Sequence, residues 1–471
     1  VGAVVGRAYP VGTVNAGTMA TVTTSVSRLR VVTLLACVLA LDSANTATVG
    51  AIAVPLRAAL GIDDTQVGLL LAASTGIGAV TTLPAGVLVD RVGSRTRLLC
   101  RAIVLWSVAM AVSAAADSFE FLLLSRLALG AVVAISTPAV ASLLGDFVPA
   151  TERARVYGFV LTGELLGVAV GFLVSGSLAE VLSWRAAFVF LAGTSLALAA
   201  VLAARLPEPA RGGSDLPDGR PGDLAVLVAL AGVRPDPDRV LTADPSGQSL
   251  WWALRHILRV RSNRVLIAAS ALGYCYLAGI QTFGVEYLRD RFGLSQTTGT
   301  SLLVGLGLGS VLGVLAAGFT ADRLIRRGVL TGRILTGGTA FLAAAAAFTP
   351  AMLATGLAAA VPLFTLGAAC LGAINPPLDA ARLDTMHPRL RGRADSVRTV
   401  FRLSLTAVGP VLFGYLATRL GHGGRSPADA LAATFVVMLV PVVAAGLLTL
   451  VRARRTYLRD IATAAATTAG R

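Results

Sequence analysis

The sequence predicts an all-α polytopic membrane protein: twelve transmembrane helices in two pseudo-symmetric six-helix bundles. Three observations predict it. First, 55% of the 471 residues are hydrophobic and only 14% are charged, against roughly 25% charged in soluble domains. Second, the apolar residues fall in runs of about 20, the length of a membrane-spanning helix. The alternating segments of a membrane barrel are absent. Third, a basic turn recurs: residues 86–97 read GVLVDRVGSRTR and residues 318–328 read GFTADRLIRRG. The offset from Asp90 to Asp322 is close to half the chain, and such recurrence signals an internal repeat.

The apolar runs place the spans. Residues 1–27 are rich in Gly, Thr and Val without an apolar core, and are expected to be disordered. Val1 opens the chain and Met19 stands just before the first span, so an upstream start is expected. Span 1 covers 31–54 and stops at Pro55. Span 2 covers 66–89, span 3 98–116, span 4 119–144, span 5 154–178 and span 6 184–204. A linker, 205–263, follows. Span 7 covers 265–285, span 8 299–321, span 9 334–348, span 10 353–380, span 11 394–418 and span 12 430–451. The bundles are therefore 28–204 and 264–455, with a tail at 456–471.

The net charge of +15 comes entirely from Arg, since the chain has no Lys. It does not point to nucleic acid. Arg28 and Arg30, the group Arg91, Arg95, Arg97 and Arg101, and the pair Arg153 and Arg155 fall on one side if the helices alternate. So do Arg323, Arg326, Arg327 and Arg333, then Arg389, Arg391 and Arg393, then Arg452, Arg454 and Arg455. The opposite loops are acidic or mixed, as at Asp63, Asp64, Asp117 and Glu120. By the positive-inside rule both termini are cytoplasmic, and the cell membrane is the expected location. Cys37, Cys100, Cys275 and Cys370 are scattered without metal spacing. His256, His387 and His422 lie outside the spans. No metal site, cofactor or enzymatic motif is expected.

The linker opens rich in Pro, Gly and Asp. It continues with an apolar patch at 224–233, too short to span and expected to dock. It ends in WWALRHILR, which reads as an interfacial amphipathic helix. The linker as a whole is expected to be a passive tether.

A second repeat joins the first. Pro138, Asp146, Arg153 and Arg155 recur with identical spacing as Pro376, Asp384, Arg391 and Arg393, each set at the end of the fourth span of a half. With these residues in place, the chain resembles the major facilitator superfamily, whose signature lies between spans 2 and 3. The resemblance implies a secondary transporter that works by alternating access. Asp42 in span 1, and Arg126 and Pro138 in span 4 with Asp146 and Arg153 just downstream, also resemble the Spinster-type group of lysolipid and sphingoid-phosphate transporters. Ser43 and Val133 stand where that group usually has Arg and Glu.

Each polar residue then has an expected role. Gly86, Asp90, Arg91, Gly93 and Arg95 form a cytoplasmic latch, with Asp90 on a helix N-terminus of the other half. Asp322 and Arg323 are the second-half counterparts, and Asp146, Arg153, Asp384 and Arg391 extend the latch. Asp379, Arg382, Arg398 and Arg402 form an ion-pair network, gate or clamp. Asp42 lies near the midplane, where a carboxylate is protonated, paired or wet. Asp42 and Glu164 are the proton-coupling candidates. Arg126 pairs with Asp42, binds an anionic headgroup, or snorkels outward toward Glu120. Asn45, Tyr274, Tyr276 and Gln281 are candidate cavity residues. Gly163, Gly167 and Gly171, and likewise Gly305, Gly309 and Gly313, form small-residue stripes for helix packing. The expected function is proton-coupled transport of an amphiphilic, lysolipid-type anion by a monomer among membrane lipids. Alternatives are a multidrug–proton antiporter, a small-metabolite importer or a transport-dead receptor of the same fold.

Overall fold

The computed structural model describes residues 25–213, 224–421 and 426–469. Every regular element among them is helical, because a backbone in lipid must satisfy its own amides and carbonyls. Twelve helical stretches are long and apolar enough to cross a membrane. In the first bundle α1 is Ser25–Ala51, α2 Ala53–Leu60, α3 Asp64–Arg91, α4 Arg95–Ala114, α5 Phe119–Val133, α6 Ser136–Phe147, α7 Arg153–Val181 and α8 Trp184–Arg205. The linker carries α9, Leu224–Leu230, and α10, Leu250–Arg259. In the second bundle α11 is Arg261–Phe292, α12 Gln296–Arg326, α13 Gly332–Leu353, α14 Leu357–Gly372, α15 Asn375–Asp384, α16 Arg391–Gly421, α17 Pro427–Leu448 and α18 Arg454–Ala469.

The expected boundaries shift where local chemistry acts. Span 1 does not stop at Pro55. The helix breaks at Ile52, and Pro55 sits in the first turn of α2, where its missing N–H costs nothing. Span 4 is two helices: the chain leaves α5 at Ala134 and restarts as α6, with Pro138 in the first turn. Span 10 breaks in the same place, between α14 and α15, ahead of Pro376 and Pro377. The repeated proline thus marks a repeated break. Span 12 runs through a π-helical turn, Thr449–Ala453, into α18, so much of the expected tail is helix. Of the segment expected to be disordered, residues 25–27 belong to α1, and 1–24 lie outside the described residues, as does His422.

Side-chain caps set several helix starts. Asp63 and Gln66 form a reciprocal capping box on α3. Ser94, Ser118, Ser183, Ser249, Ser295 and Ser426 each accept from an amide of the following first turn.

Small residues bring the helices close. Methyl groups added at Gly163, Gly167 and Gly171 of α7 would strike the backbone of Ala36, Ala40 and Ala44 on α1. Gly309 and Gly313 of α12 press likewise on Thr365 and Ala369 of α14, whereas Gly305 faces open space and is no part of the stripe. The two large apolar clusters follow the two bundles, and a third gathers around α10.

Candidate functional site

The Arg-rich ends of the bundles meet in a latch built on the sequence repeats. Asp90, in the last turn of α3, accepts from the amides of Gly392 at 2.9 Å and Arg393 at 3.0 Å. These are unpaired amides at the start of α16, so the carboxylate also meets the positive end of that helix. Asp322, near the end of α12, accepts from Ala154 at 3.3 Å and Arg155 at 2.7 Å at the start of α7. Each carboxylate therefore caps a helix of the opposite bundle.

Buried ion pairs repeat the exchange. Arg391 holds Asp146 at 2.7 Å, and Arg153 holds Asp384 at 2.9 Å. Asp146 also takes Arg95 from its own bundle. Asp384 also takes Arg333, and the Tyr457 hydroxyl donates to it at 2.7 Å. Arg333 reaches Asp322 as well, at 3.2 Å. It is the second-half counterpart of Arg95, and sequence reading missed it. The turn after Asp322 is longer than the turn after Asp90, which hid the match. Its signal was the offset from Arg95 to Arg333, identical to that from Asp146 to Asp384. Arg323, expected in this role, is exposed and forms no ion pair among the described residues.

Backbone approach completes the latch. A Cβ on Gly86 would collide with the Ser396 side chain and the Gly392 carbonyl oxygen. Gly318 is pressed in the same way against Ala154 and Arg155. Gly93, expected here too, has nothing within 4 Å of a would-be Cβ.

The linker is not a passive tether. Arg91, expected in the latch, donates to the carbonyls of Ser246 (3.2 Å), Gly247 (3.4 Å) and Gln248 (3.2 Å). Arg393 of the other bundle donates to Pro245 (3.2 Å), Ser246 (2.6 Å) and Gln248 (3.3 Å). Residues 245–248 are thus clasped by one arginine from each bundle. Nearer the start of the linker, Gly212 donates to Asp146 at 3.0 Å. Glu208 accepts from the Thr96 amide at 2.7 Å and pairs with Arg95 at 2.9 Å. Burial pushes the Glu208 carboxyl up, but the Thr96 amide and Arg95 outweigh it, so it stays below the usual carboxylate range. The apolar patch of α9 docks through Leu224 and Val228.

The Asp379 ion pairs lie inside one bundle. Asp379, Arg382, Asp395 and Arg398 join α15 to α16 at 2.6–3.6 Å. Arg402 is outside this network. It lies one turn beyond Arg398, in the cavity between the bundles.

That cavity has a volume of about 720 Å³ and a mostly apolar wall. Asp42, Asn45, Arg126, Glu164, Tyr274, Gln281 and Arg402 line it. Tyr276 does not; it is buried among Phe348, Phe413 and Phe435. Arg126 is 1% exposed, so it does not snorkel. Nor does it pair with Asp42. One terminal nitrogen donates to Asn45 at 3.3 Å, the other contacts the Met110 sulfur at 3.3 Å, and the guanidinium lies 4.5 Å from the Phe188 ring centre. Its Nε has no hydrogen-bond partner, and no carboxylate pairs with it among the described residues. Across the cavity Arg402 meets Glu164 at 3.5 Å and the Tyr274 hydroxyl at 3.4 Å, lying 4.9 Å from the Tyr274 ring centre. Glu164 and Arg402 come from opposite bundles.

A cavity between two six-helix bundles, closed at one end by exchanged helix caps, is the geometry of a known family. Residues 34–405 match the family model of the Major Facilitator Superfamily. The chain belongs to the Major Facilitator Superfamily. Its similarity to curated superfamily relatives is partial. It is 33% identical over 183 residues to the 4-hydroxybenzoate transporter PcaK of Pseudomonas aeruginosa, covering 39% of this chain and 40% of that protein. It is 29% identical over 144 residues to the probable L-galactonate transporter of Escherichia coli, covering 31% and 32%. It is 29% identical over 171 residues to probable anion transporter 3, chloroplastic, of Arabidopsis thaliana, covering 36% and 33%. These matches thus span about a third to two fifths of the relatives' length.

Two solved superfamily structures share the fold across nearly the whole chain. The human organic anion transporter MFSD10 has a TM-score of 0.64 at 17% identity, covering 90% of this chain and 99% of that one. A bacterial homologue of the human lysosomal transporter Spinster, inward-facing and occupied, has a TM-score of 0.53 at 20% identity, covering 93% and 99%.

Proposed function

We propose that this protein is a secondary active transporter that moves an organic anion with an apolar body, coupled to protons. The observation that carries the reading is Arg126: a buried guanidinium beside a mostly apolar cavity, with no carboxylate paired to it among the described residues. An uncompensated charge at that depth is costly, and a substrate carboxylate or phosphate would relieve it. Arg suits such groups because its planar fork offers paired donors. A volume of about 720 Å³ lies within the range of small-molecule sites. The names of the 4-hydroxybenzoate and L-galactonate relatives support a carboxylate head. A lysolipid-type anion has the same combination of head and apolar body.

Asp42 and Glu164 are the proton carriers in this reading. A proton on Glu164 removes the counter-charge of Arg402 and frees it for the substrate. The latch holds the Arg-rich end shut, and the charge pattern makes that end cytoplasmic. The conformation described is therefore closed toward the cytoplasm, and opening that way requires both caps and both ion pairs to part. The protein works as a monomer in the cell membrane and needs no cofactor.

Proteoliposome flux tests the reading. With a pH gradient, 4-hydroxybenzoate or a lysophospholipid should accumulate, the two probes separating the small from the lipid-like substrate. Arg126→Gln removes a charge-assisted hydrogen bond of about 1.5–3 kcal/mol, so anion transport should fall roughly 10- to 150-fold. Transport of a neutral ester should fall far less. Equal losses for both would remove Arg126 from the headgroup site. No gradient-driven movement of any anion by the wild type would remove the transporter itself.

A further inference from the structure

We propose that the outer face of α10 binds an anionic phospholipid of the leaflet on the Arg-rich side. The helix is capped by Ser249 and buries Ala253 and Ile257. Its opposite stripe, Trp251, Arg255 and Arg259 at intervals of one turn, is exposed. Trp251 is 77% exposed, while Trp106 and Trp184 of the spans are buried. Leu254 and Leu258 flank the stripe, half-buried. With Trp251, Trp252 and Arg255 they line an open notch of about 500 Å³. Trp252 is not free to fill it, because it stacks on His256 with ring centres 5.0 Å apart.

The helix lies at the depth of a headgroup. Ala253 and Ile257 belong to a cluster with Ile267 of α11 and Val397 of α16, and Leu83 of α3 packs on the same cluster. Leu83 is two turns inside the end of α3, at about 1.5 Å per residue. The span of α11 begins two residues after Arg259. A tryptophan exposed at that depth meets the membrane interface, where its ring is at home.

Charge selects the lipid. Arg255, Arg259, Arg261 and Arg264 are all exposed, and none forms an ion pair among the described residues. Burial, Arg259 and Arg239 hold the His256 imidazole below the usual range, which disfavours its charged form. Arg255 lines the notch, and Arg259, Arg261 and Arg264 follow it along the chain, a run of exposed guanidiniums that complements a phosphate headgroup above acyl chains. The cluster beneath joins α3 of one bundle to α11 and α16 of the other, so the lipid would sit over the seam that parts in alternating access.

Full-length protein in nanodiscs tests the proposal by tryptophan fluorescence. Brominated phosphatidylglycerol and brominated phosphatidylcholine are compared at equal mole fraction. Phosphatidylglycerol should quench more strongly, and Trp251→Phe should remove that excess. Each arginine near an anionic surface is worth about fivefold, so Arg255→Gln with Arg259→Gln should weaken the preference about 25-fold. Both side chains are exposed, and an unchanged unfolding temperature would verify the fold. Equal quenching by the two lipids, or a preference that survives the double variant, would overturn the headgroup assignment. Absence of quenching by either lipid would mean that water or a protein covers the face, and would overturn the proposal outright.

Discussion

Gly86→Ala is the sharpest test of the latch. The added methyl would meet the Ser396 hydroxyl and, at 2.8 Å, the carbonyl oxygen of Gly392. A side chain can rotate away, but that carbonyl belongs to the first turn of α16, whose neighbouring amides are held by Asp90. Overpacking of this kind typically costs about 1–3 kcal/mol. The cost falls on the closed conformation alone, because α3 and α16 must separate when the Arg-rich end opens. A perturbation felt by one state shifts the equilibrium by its full amount. The closed-to-open ratio should therefore drop roughly 5- to 150-fold. Spin labels at Arg97 and Arg327, exposed and on opposite bundles, would report the change as a longer distance between the Arg-rich ends. Gly93→Ala is the control, since nothing lies within 4 Å of its would-be Cβ. An unchanged distance distribution in Gly86→Ala would refute the reasoning, and so would an equal shift in Gly93→Ala.

Two further outcomes follow from the ion pairs. Arg333→Ala removes the partner of Asp322 and one partner of Asp384; breaking a buried pair costs about 3–5 kcal/mol. Arg323→Ala should leave stability within about 0.5 kcal/mol, and similar unfolding temperatures for the two variants would contradict the assignment. Glu208 sets a pH dependence. Its folded pKa is depressed, so its contribution is present above the unfolded value of about 4.3 and is lost as pH falls through the folded value. The stability gap between wild type and Glu208→Gln should be level near neutral pH and close in acid. A gap that widens in acid would show that the sign is wrong.

Much of this protein was legible in sequence because a bilayer imposes one-dimensional rules. Runs of about 20 apolar residues must be helices. Arg in alternate loops sets the orientation expected for them. A motif at half-length offset implies a repeat, and it brought Asp90, Asp146, Arg153, Asp322, Asp384 and Arg391 to notice before any contact was visible. What sequence did not decide was pairing. Spacing leaves Arg126 free to pair with Asp42, to meet a headgroup or to snorkel, and it lies on Asn45 and Phe188. Arg402 was assigned to the gate and faces Glu164 in the cavity. Arg91 is expected in the latch between the bundles and holds linker carbonyls. Helical spacing says which residues share a face, but not which helix that face meets. The crossing of α3 with α16 and of α7 with α12 makes that choice. Only the folded chain closes those crossings, and through them turns two distant copies of one motif into a single latch.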